Sequence, residues 1–231
     1  MRYLKRYKKL FESITQQERS RIQSVCQKYG ITNYTINDDG SIDVNGDVDL
    51  YDAGLTKLPL KFGFVGGYFD CRYNNLTTLE GGPREVGGDF NCSRNKLTTL
   101  EGGPREVGGD FDCSYNQLTT LEGSPRQVGG DFYCYNNQLT TLEGGPSEVG
   151  GGFYCNNNQL TTLEGGPRQV GGYFNCSYNK VNKIYILFTD YKSFLRSLDY
   201  NYFKGGNEID ELALEDALSD RKSTRLNSSH L

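Results

Sequence analysis

Apolar and polar residues repeat along the middle of the chain with a period of 21 positions. A unit reading LTTLEGGPREVGGDFNCSRNK begins at Leu76, it recurs with few changes from Leu97, Leu118, Leu139 and Leu160, and a diverged copy begins at Leu55. Self-similarity at a fixed period of about 20–50 residues is the signature of a solenoid, in which each repeat stacks on its neighbours. The pattern therefore predicts one elongated stack of similar units.

One segment of each unit has the two-residue alternation of a half-buried strand. Phe90 and Cys92 alternate with Asp89 and Asn91, so the Phe and Cys side chains are predicted to face inward and the polar pair outward. Equivalent segments begin at Val44, Val65, Val86, Val107, Val128, Val149 and Val170. They predict seven rungs, each with one short parallel strand.

The rest of each unit is predicted to run back without an α-helix. The segment EGGP at 101–104 must leave the strand, because proline has no backbone donor and glycine favours unusual dihedral angles. A unit of 21 residues is also too short for a strand, a full helix and two loops. We therefore expect a polyproline-like or 3₁₀ return and a β-dominated solenoid as the fold class.

The string F-x-C-x-x-N-x-L-x-x-L resembles the leucine-rich-repeat consensus, with Phe and Cys at the first two apolar positions. The unit length and the return LTTLEG-x-P resemble the short repeats of bacterial secreted effectors, and more closely those of uncharacterised repeat proteins of tailed bacteriophages. The flanks NYTINDDGSIDV and VNKIYILFTDYKSFLRSLDYN share the phage resemblance. The resemblance implies a leucine-rich-repeat-like fold but no known activity, and the Gly-Gly pair in place of the first consensus Leu leaves the curvature open.

The flanks of the repeats predict helical caps, since a solenoid must close its open ends. Ser13 and Gln16 form a capping box for a helix over residues 13–29. Its apolar stripe consists of Ile14, Ile22, Val25, Cys26 and Tyr29. The predicted organisation is a basic N-terminal segment with a helical cap at 1–43, the solenoid at 44–184, a helical C-terminal cap at 185–219 and a foreign tail at 220–231.

That tail reads DRKSTRLNSSH from Asp220 to His230 and resembles the translation of a common short-read sequencing adapter. Excluding it removes the only histidine and changes the net charge from −4 to −6, with 22 basic against 28 acidic residues. Residues 1–30 hold eight basic and two acidic residues, whereas residues 31–219 hold 14 basic and 26 acidic ones. The chain is therefore divided into a basic head and an acidic body.

Two columns of identical residues are predicted to be structural. The asparagines at Asn74, Asn95, Asn116, Asn137, Asn158 and Asn179 can satisfy backbone groups at the corner after each strand. The cysteines at Cys71, Cys92, Cys113, Cys134, Cys155 and Cys176 fall on an inward position. We expect them to be buried free thiols, because in-register side chains run side by side and no secretion signal or transmembrane span is evident. A cytoplasmic location is expected.

No enzyme, cofactor or metal site is predicted. The chain contains no G-x-x-x-x-G-K-[ST], G-x-S-x-G or HExxH motif, and no C-x-x-C pair. The acidic segment DVNGDVD at 43–49 lacks the spacing of an EF-hand loop. No small-molecule substrate is evident.

The outward strand positions are predicted to bind a protein partner. An acidic centre is flanked by tyrosines, and the candidate site residues are Asp89, Asp110, Asp112, Asp131, Tyr115, Tyr133, Tyr135 and Tyr154. Stacked aspartates about 5 Å apart repel by roughly 0.8 kcal/mol per pair even in water, and a basic partner surface would relieve this repulsion. Tyrosine offers rigid contact area. The alternative is that Asp and Tyr are merely tolerated strand residues.

The favoured function is a monomeric, non-catalytic protein-binding module. A structural or adhesin component of a phage particle and the targeting domain of a truncated effector enzyme are the alternatives. The basic N-terminal residues Arg2, Lys5, Arg6, Lys8 and Lys9 suggest contact with nucleic acid or an anionic membrane as a further alternative to a solvated end.

Overall fold

A computed structural model describes residues 14–181, which form a β-solenoid of about six turns with a spacing of about 21 residues. Each turn contributes one strand to each of two sheets. The first, here called the valine sheet, contains β1 (Tyr34–Ile36), β2 (Ser41–Val44), β4 (Lys61–Val65), β6 (Glu85–Val86), β8 (Glu106–Val107), β10 (Gln127–Val128), β12 (Glu148–Val149) and β14 (Gln169–Val170). The second, the phenylalanine sheet, contains β3 (Val48–Asp49), β5 (Phe69–Asp70), β7 (Phe90–Asn91), β9 (Phe111–Asp112), β11 (Phe132–Tyr133), β13 (Phe153–Tyr154) and β15 (Phe174–Asn175).

The prediction of one strand per repeat is wrong, because each repeat has two strands in different sheets. A Gly-Gly pair lies between them, as in Gly87 and Gly88, and turns the chain from one sheet to the other. Hydrogen bonding between repeats continues through this corner, where the Gly87 N–H donates to the Val65 carbonyl at 2.8 Å. The predicted parallel pairing and 21-residue register are confirmed, with Phe90 opposite Phe111.

The core is a set of parallel columns that run along the solenoid. Phenylalanine rings of successive repeats stack with centroids 5.1–5.4 Å apart and planes within 5–11° of parallel. Columns of cysteine, leucine and valine complete the interior, and almost all of these side chains are buried. The predicted inward orientation of Phe and Cys is therefore confirmed.

The asparagine column makes the backbone contacts that were predicted for it. In Asn116, Oδ1 accepts the Leu97 N–H at 3.0 Å, and Nδ2 donates to the carbonyls of Cys92 and Cys113 at 3.1 Å. The same pattern recurs at the other asparagines of the column. Each amide therefore joins the backbone of two neighbouring repeats.

The return segments contain bends and turns, without an α-helix or a 3₁₀-helix within residues 14–181. In five of them a glycine at positive φ follows two residues after a leucine, as at Gly102 with φ 86° and Gly123 with φ 88°. An L-residue with a side chain is strained in this conformation. The glycine therefore makes the sharp reversal possible, and the expectation of a non-α-helical return is confirmed.

The N-terminal helix α1 spans Gln16–Lys28 and buries Ile22 and Cys26 in the core. Its N-cap is Thr15, whose Oγ1 accepts the Glu18 N–H at 3.1 Å; the proposed capping partner Ser13 lies outside the described residues. Strand β1 falls within the segment 1–43, β2 crosses its end at Val44, and the two form the antiparallel end of the valine sheet. The predicted C-terminal cap at 185–219 and the tail at 220–231 also lie outside the described residues. Among residues 14–181, no helix combines the length and apolar character needed to cross a bilayer.

Candidate functional site

The outer face of the phenylalanine sheet carries the predicted site residues in two columns. Asp89, Asp110 and Asp131 precede the buried phenylalanines and are here called the acidic column. The second column follows the phenylalanines, and its members Asp112, Tyr133 and Tyr154 are paired in register along the sheet. The remaining candidates, Tyr115 and Tyr135, lie at the corner after the strands of their repeats.

The acidic column has a structural role that the sequence argument did not include. Asp89 Oδ1 accepts the backbone N–H of Asp110 at 2.8 Å, and Asp110 Oδ1 accepts that of Asp131 at 2.7 Å. Asp131 Oδ1 accepts the N–H of Gly152 at 2.6 Å. These charge-assisted hydrogen bonds offset the repulsion between neighbouring carboxylates. The recurrence of aspartate therefore has a structural explanation that needs no partner, and a binding role is compatible with it.

Asp112, in the second column, is hydrogen-bonded within its own turn. Its Oδ1 accepts the backbone N–H and the hydroxyl of Ser114 at 2.9 and 2.6 Å. Asn91, one repeat earlier, makes the equivalent two bonds to Ser93. Burial raises the pKa of Asp112, and the hydrogen bonds from Ser114 oppose that shift. An uncharged side chain with the same acceptor oxygen therefore satisfies this turn and loses only the long hydrogen bond that Asn91 Nδ2 donates to Asp112 Oδ2 at 3.4 Å.

We expect Asp112→Asn to increase the free energy of unfolding at pH 7 by about 0.5 kcal/mol. The pKa of Asp112 is raised in the folded state, so its carboxylate form lowers the free energy of unfolding at neutral pH. This loss of stability disappears as the pH falls through the folded-state pKa, because the carboxyl group is then protonated. Urea unfolding at pH 7 and at pH 4 tests this, and the difference between variant and wild type should shrink at the lower pH. The reverse change Asn91→Asp should destabilise at pH 7, because it removes the Asn91 Nδ2 donor to Asp112 Oδ2 and places a second carboxylate beside Asp112. An Asp112→Asn protein that is equally destabilised at both pH values would contradict the expectation.

An aromatic ridge runs along the corner that follows the phenylalanine sheet and ends on the outer face of that sheet, at Tyr133 and Tyr154. It consists of Tyr51, Tyr73, Arg94, Tyr115, Tyr135, Tyr133 and Tyr154, each in contact with the next. Tyr115 and Tyr135 meet edge to face with ring centroids 5.4 Å apart, and Tyr133 stacks on Tyr154 at 4.9 Å. The structure therefore brings all four predicted tyrosines into one contiguous strip.

Sequence reasoning missed Tyr51, Tyr73 and Arg94 in this ridge. Tyr73 and Arg94 lie 42 and 21 residues before Tyr115, at the same repeat position. The 21-residue register could have identified these two residues. Tyr51 lies 84 residues, or four repeats, before Tyr135, so the same register places it in the column of that predicted residue. Its ring packs against that of Tyr73, with centroids 5.5 Å apart.

Tyr133 joins the ridge to the acidic column. Its hydroxyl donates to Asp131 Oδ2 at 2.6 Å. Burial and this hydrogen bond raise the pKa of Tyr133, so the phenol stays protonated. Gly152 replaces the aspartate of the next repeat, and a Cβ there would come within 2.7 Å of the Tyr154 ring. The missing side chain therefore makes room for the ring that supports Tyr133.

The cysteines are placed for packing rather than for reaction. All seven are free and buried. Burial raises the pKa of Cys92, Cys113, Cys134 and Cys155 well above that of an exposed thiol, which keeps them protonated. Within residues 14–181, no group of three His, Cys, Asp or Glu side chains could hold a metal ion.

Two grooves lie on the valine-sheet side of the solenoid, away from the predicted surface. One, of about 560 Å³, is lined by residues that include Lys61, Glu80 and Arg84. The other, of about 500 Å³, runs beside Glu106 and Gln127. None of the predicted site residues lines either groove. Small-molecule sites are concave. The acidic column and the aromatic ridge lie outside both grooves, so they are better suited to contact with another macromolecule than with a small molecule.

Comparison of the chain with known proteins finds no matching family model, curated protein or solved structure. The candidate site is therefore defined by the geometry of its own residues: an acidic column, an aromatic ridge and the Tyr133–Asp131 hydrogen bond that connects them.

Proposed function

We propose that this chain is a non-catalytic module, of leucine-rich-repeat type with helical caps, that binds a protein partner through the acidic column and the aromatic ridge. The observation that carries the proposal is the continuity of these two features through Tyr133 and Asp131. The partner presents a basic surface. A monomeric state, a cytoplasmic location and a phage origin belong to the same proposal.

The charge of the acidic column supports a basic partner. Asp89 and Asp110 each use Oδ1 to bind the backbone of the next repeat. Within residues 14–181, their Oδ2 atoms make no hydrogen bond or ion pair. Two carboxylate oxygens at neighbouring rungs, about 4.8 Å apart, can therefore accept from Lys or Arg side chains of a partner without loss of a structural contact.

The tyrosines support a macromolecular partner. Tyr73 and Tyr115 are 45% and 41% exposed, although their rings are held by neighbours in the ridge. Ordered tyrosines lose little conformational entropy on binding and are enriched where binding energy is concentrated. The ridge therefore supplies contact area, while the acidic column supplies charge complementarity.

Replacing Asp89 and Asp110 by asparagine should reduce capture of the partner from a bacterial lysate at least fivefold at about 50 mM salt. Asparagine keeps the Oδ1 acceptor and removes only the charge, and exposed ion pairs contribute up to about 1 kcal/mol each. The measurement is quantitative mass spectrometry of proteins retained by the immobilised chain.

The matched control is the double change Glu122→Gln and Glu143→Gln, which removes two exposed carboxylates from the return side at the same spacing. It should leave capture unchanged. Equal losses in the two double variants would mean that net charge alone attracts the captured proteins, and the proposed surface would be wrong.

A further inference from the structure

Arg94 lies between two tyrosine rings of the ridge. Its Cζ is 5.0 Å from the ring centroid of Tyr73 and 4.0 Å from that of Tyr115. Cation–π contacts of this kind orient a guanidinium while its N–H groups stay available at the edge of the plane. Within residues 14–181, Arg94 forms no ion pair and no side-chain hydrogen bond, and it is exposed. The Tyr73–Arg94–Tyr115 arrangement, here called the arginine clamp, thus presents an oriented, unused set of donors.

Arg72, in the preceding repeat, provides an internal comparison. It also lies over a tyrosine, with Cζ 5.2 Å from the ring centroid of Tyr51, but its Nε pairs with Asp70 Oδ2 at 2.9 Å. In the repeat of Arg94, the position of Asp70 is occupied by Asn91, which pairs with Asp70 in register and carries no charge. Arg72 therefore has a carboxylate inside the protein, whereas Arg94 has none.

The backbone of the clamp is strained. Tyr73, Arg94 and Tyr115 have φ of 56°, 53° and 52°. Residues with long or bulky side chains pay roughly 1–2 kcal/mol for this left-handed conformation. Asn136 and Asn157 occupy the same repeat position at 54° and 53°, and asparagine tolerates it better. Tyr178, outside the clamp, also holds this position at 54°. The left-handed backbone is therefore a feature of the repeat corner, and in the clamp it fixes the direction in which Tyr73, Arg94 and Tyr115 leave the chain.

We propose that the arginine clamp binds a carboxylate group of the protein partner, an Asp or Glu side chain, and thereby sets the position of that partner along the solenoid. A planar guanidinium matches the two oxygens of a carboxylate. A phosphate has similar geometry, but a nucleic acid would bring many negative charges next to the acidic column, where Asp89 and Asp110 repel them. The inference rests on the proposed function: basic residues of the partner face the acidic column, and one acidic residue faces Arg94.

A random dodecapeptide library, displayed on phage and selected on the immobilised full chain, tests both ideas separately. We expect selected peptides to be enriched in Lys and Arg and to carry Asp or Glu at a constant distance from them. Arg94→Gln should lower the frequency of the acidic residue at least fivefold and leave the basic enrichment intact. The double variant Asp89→Asn, Asp110→Asn should lower the enrichment in Lys and Arg and leave the frequency of the acidic residue unchanged. Arg72→Gln is the control and should change neither, because Arg72 already pairs with Asp70.

Basic enrichment without a positioned acidic residue would overturn the clamp but leave the proposed function in place. Absence of any selected peptide would overturn both. Equal effects of Arg72→Gln and Arg94→Gln would also overturn the clamp, since they would show a general charge effect. Thermal unfolding of each variant, followed by circular dichroism, establishes that it is folded. If Arg94→Gln is unfolded, Arg94→Asn replaces it, because asparagine is found in this conformation at Asn136.

Discussion

Gly129→Ala should destabilise the solenoid by at least about 3 kcal/mol. A Cβ at Gly129 would overlap the carbonyl oxygen of Gly108 and lie 2.9 Å from its carbonyl carbon. The obstacle is backbone, so no rotamer change relieves it. The two repeats are also held together by hydrogen bonds on either side, such as that from the Gly129 N–H to the Val107 carbonyl at 2.9 Å. The clash therefore opens the contact between two neighbouring repeats.

Urea unfolding followed by circular dichroism measures this effect. Repeats in a solenoid contact only their neighbours, so a break in the middle should also reduce the cooperativity of unfolding. The slope of the free energy against urea concentration should therefore fall as well as the midpoint.

Gly46→Ala is the matched control. A Cβ at Gly46 meets no atom within 4 Å, and its φ is not in the left-handed region. Its effect should stay within about 0.5 kcal/mol of wild type. A Gly129→Ala protein as stable as Gly46→Ala would show that the backbones of adjacent repeats lie farther apart than described.

Asn116→Ala should cost roughly 3–5 kcal/mol of the free energy of unfolding. The substitution leaves the buried N–H of Leu97 without its acceptor and removes the donor for the carbonyls of Cys92 and Cys113. Each buried polar group that loses its partner costs about 1–3 kcal/mol. These groups belong to two repeats, so the loss also weakens the contact between them. Chemical unfolding of the purified variant provides the measurement.

Gln117→Ala, at the exposed neighbouring position, should be close to neutral. If Asn116→Ala lowered the free energy of unfolding no more than Gln117→Ala does, water would have to replace the hydrogen bonds of the amide at the corner. The asparagine column would then fill space rather than join repeats.

Part of the candidate site could be predicted from the sequence and part could not. The repeat register places Asp89 and Asp110 outside because the buried phenylalanines fix which face is inside. The contact between Asp89 Oδ1 and the Asp110 N–H joins residues 21 positions apart, and no local pattern reveals it. The register places Tyr73, Arg94 and Tyr115 at one repeat position, but the contacts of the Arg94 guanidinium with the rings one repeat before and one repeat after it are seen only in the tertiary structure.

The sequence by itself determined the 21-residue period, the inward Phe and Cys columns, the asparagine column at the corner after each strand, and the parallel pairing of repeats. These features follow from the alternation of side chains along a strand and from identical residues recurring at one spacing. Only the tertiary structure decided that each rung divides into two sheets, that the aspartates bind the backbone of the next repeat, and that the tyrosines and Arg94 form one ridge. These depend on how closely two backbones stack at the Gly-Gly corner, as at Gly87 and Gly108, and that distance is set by packing between repeats.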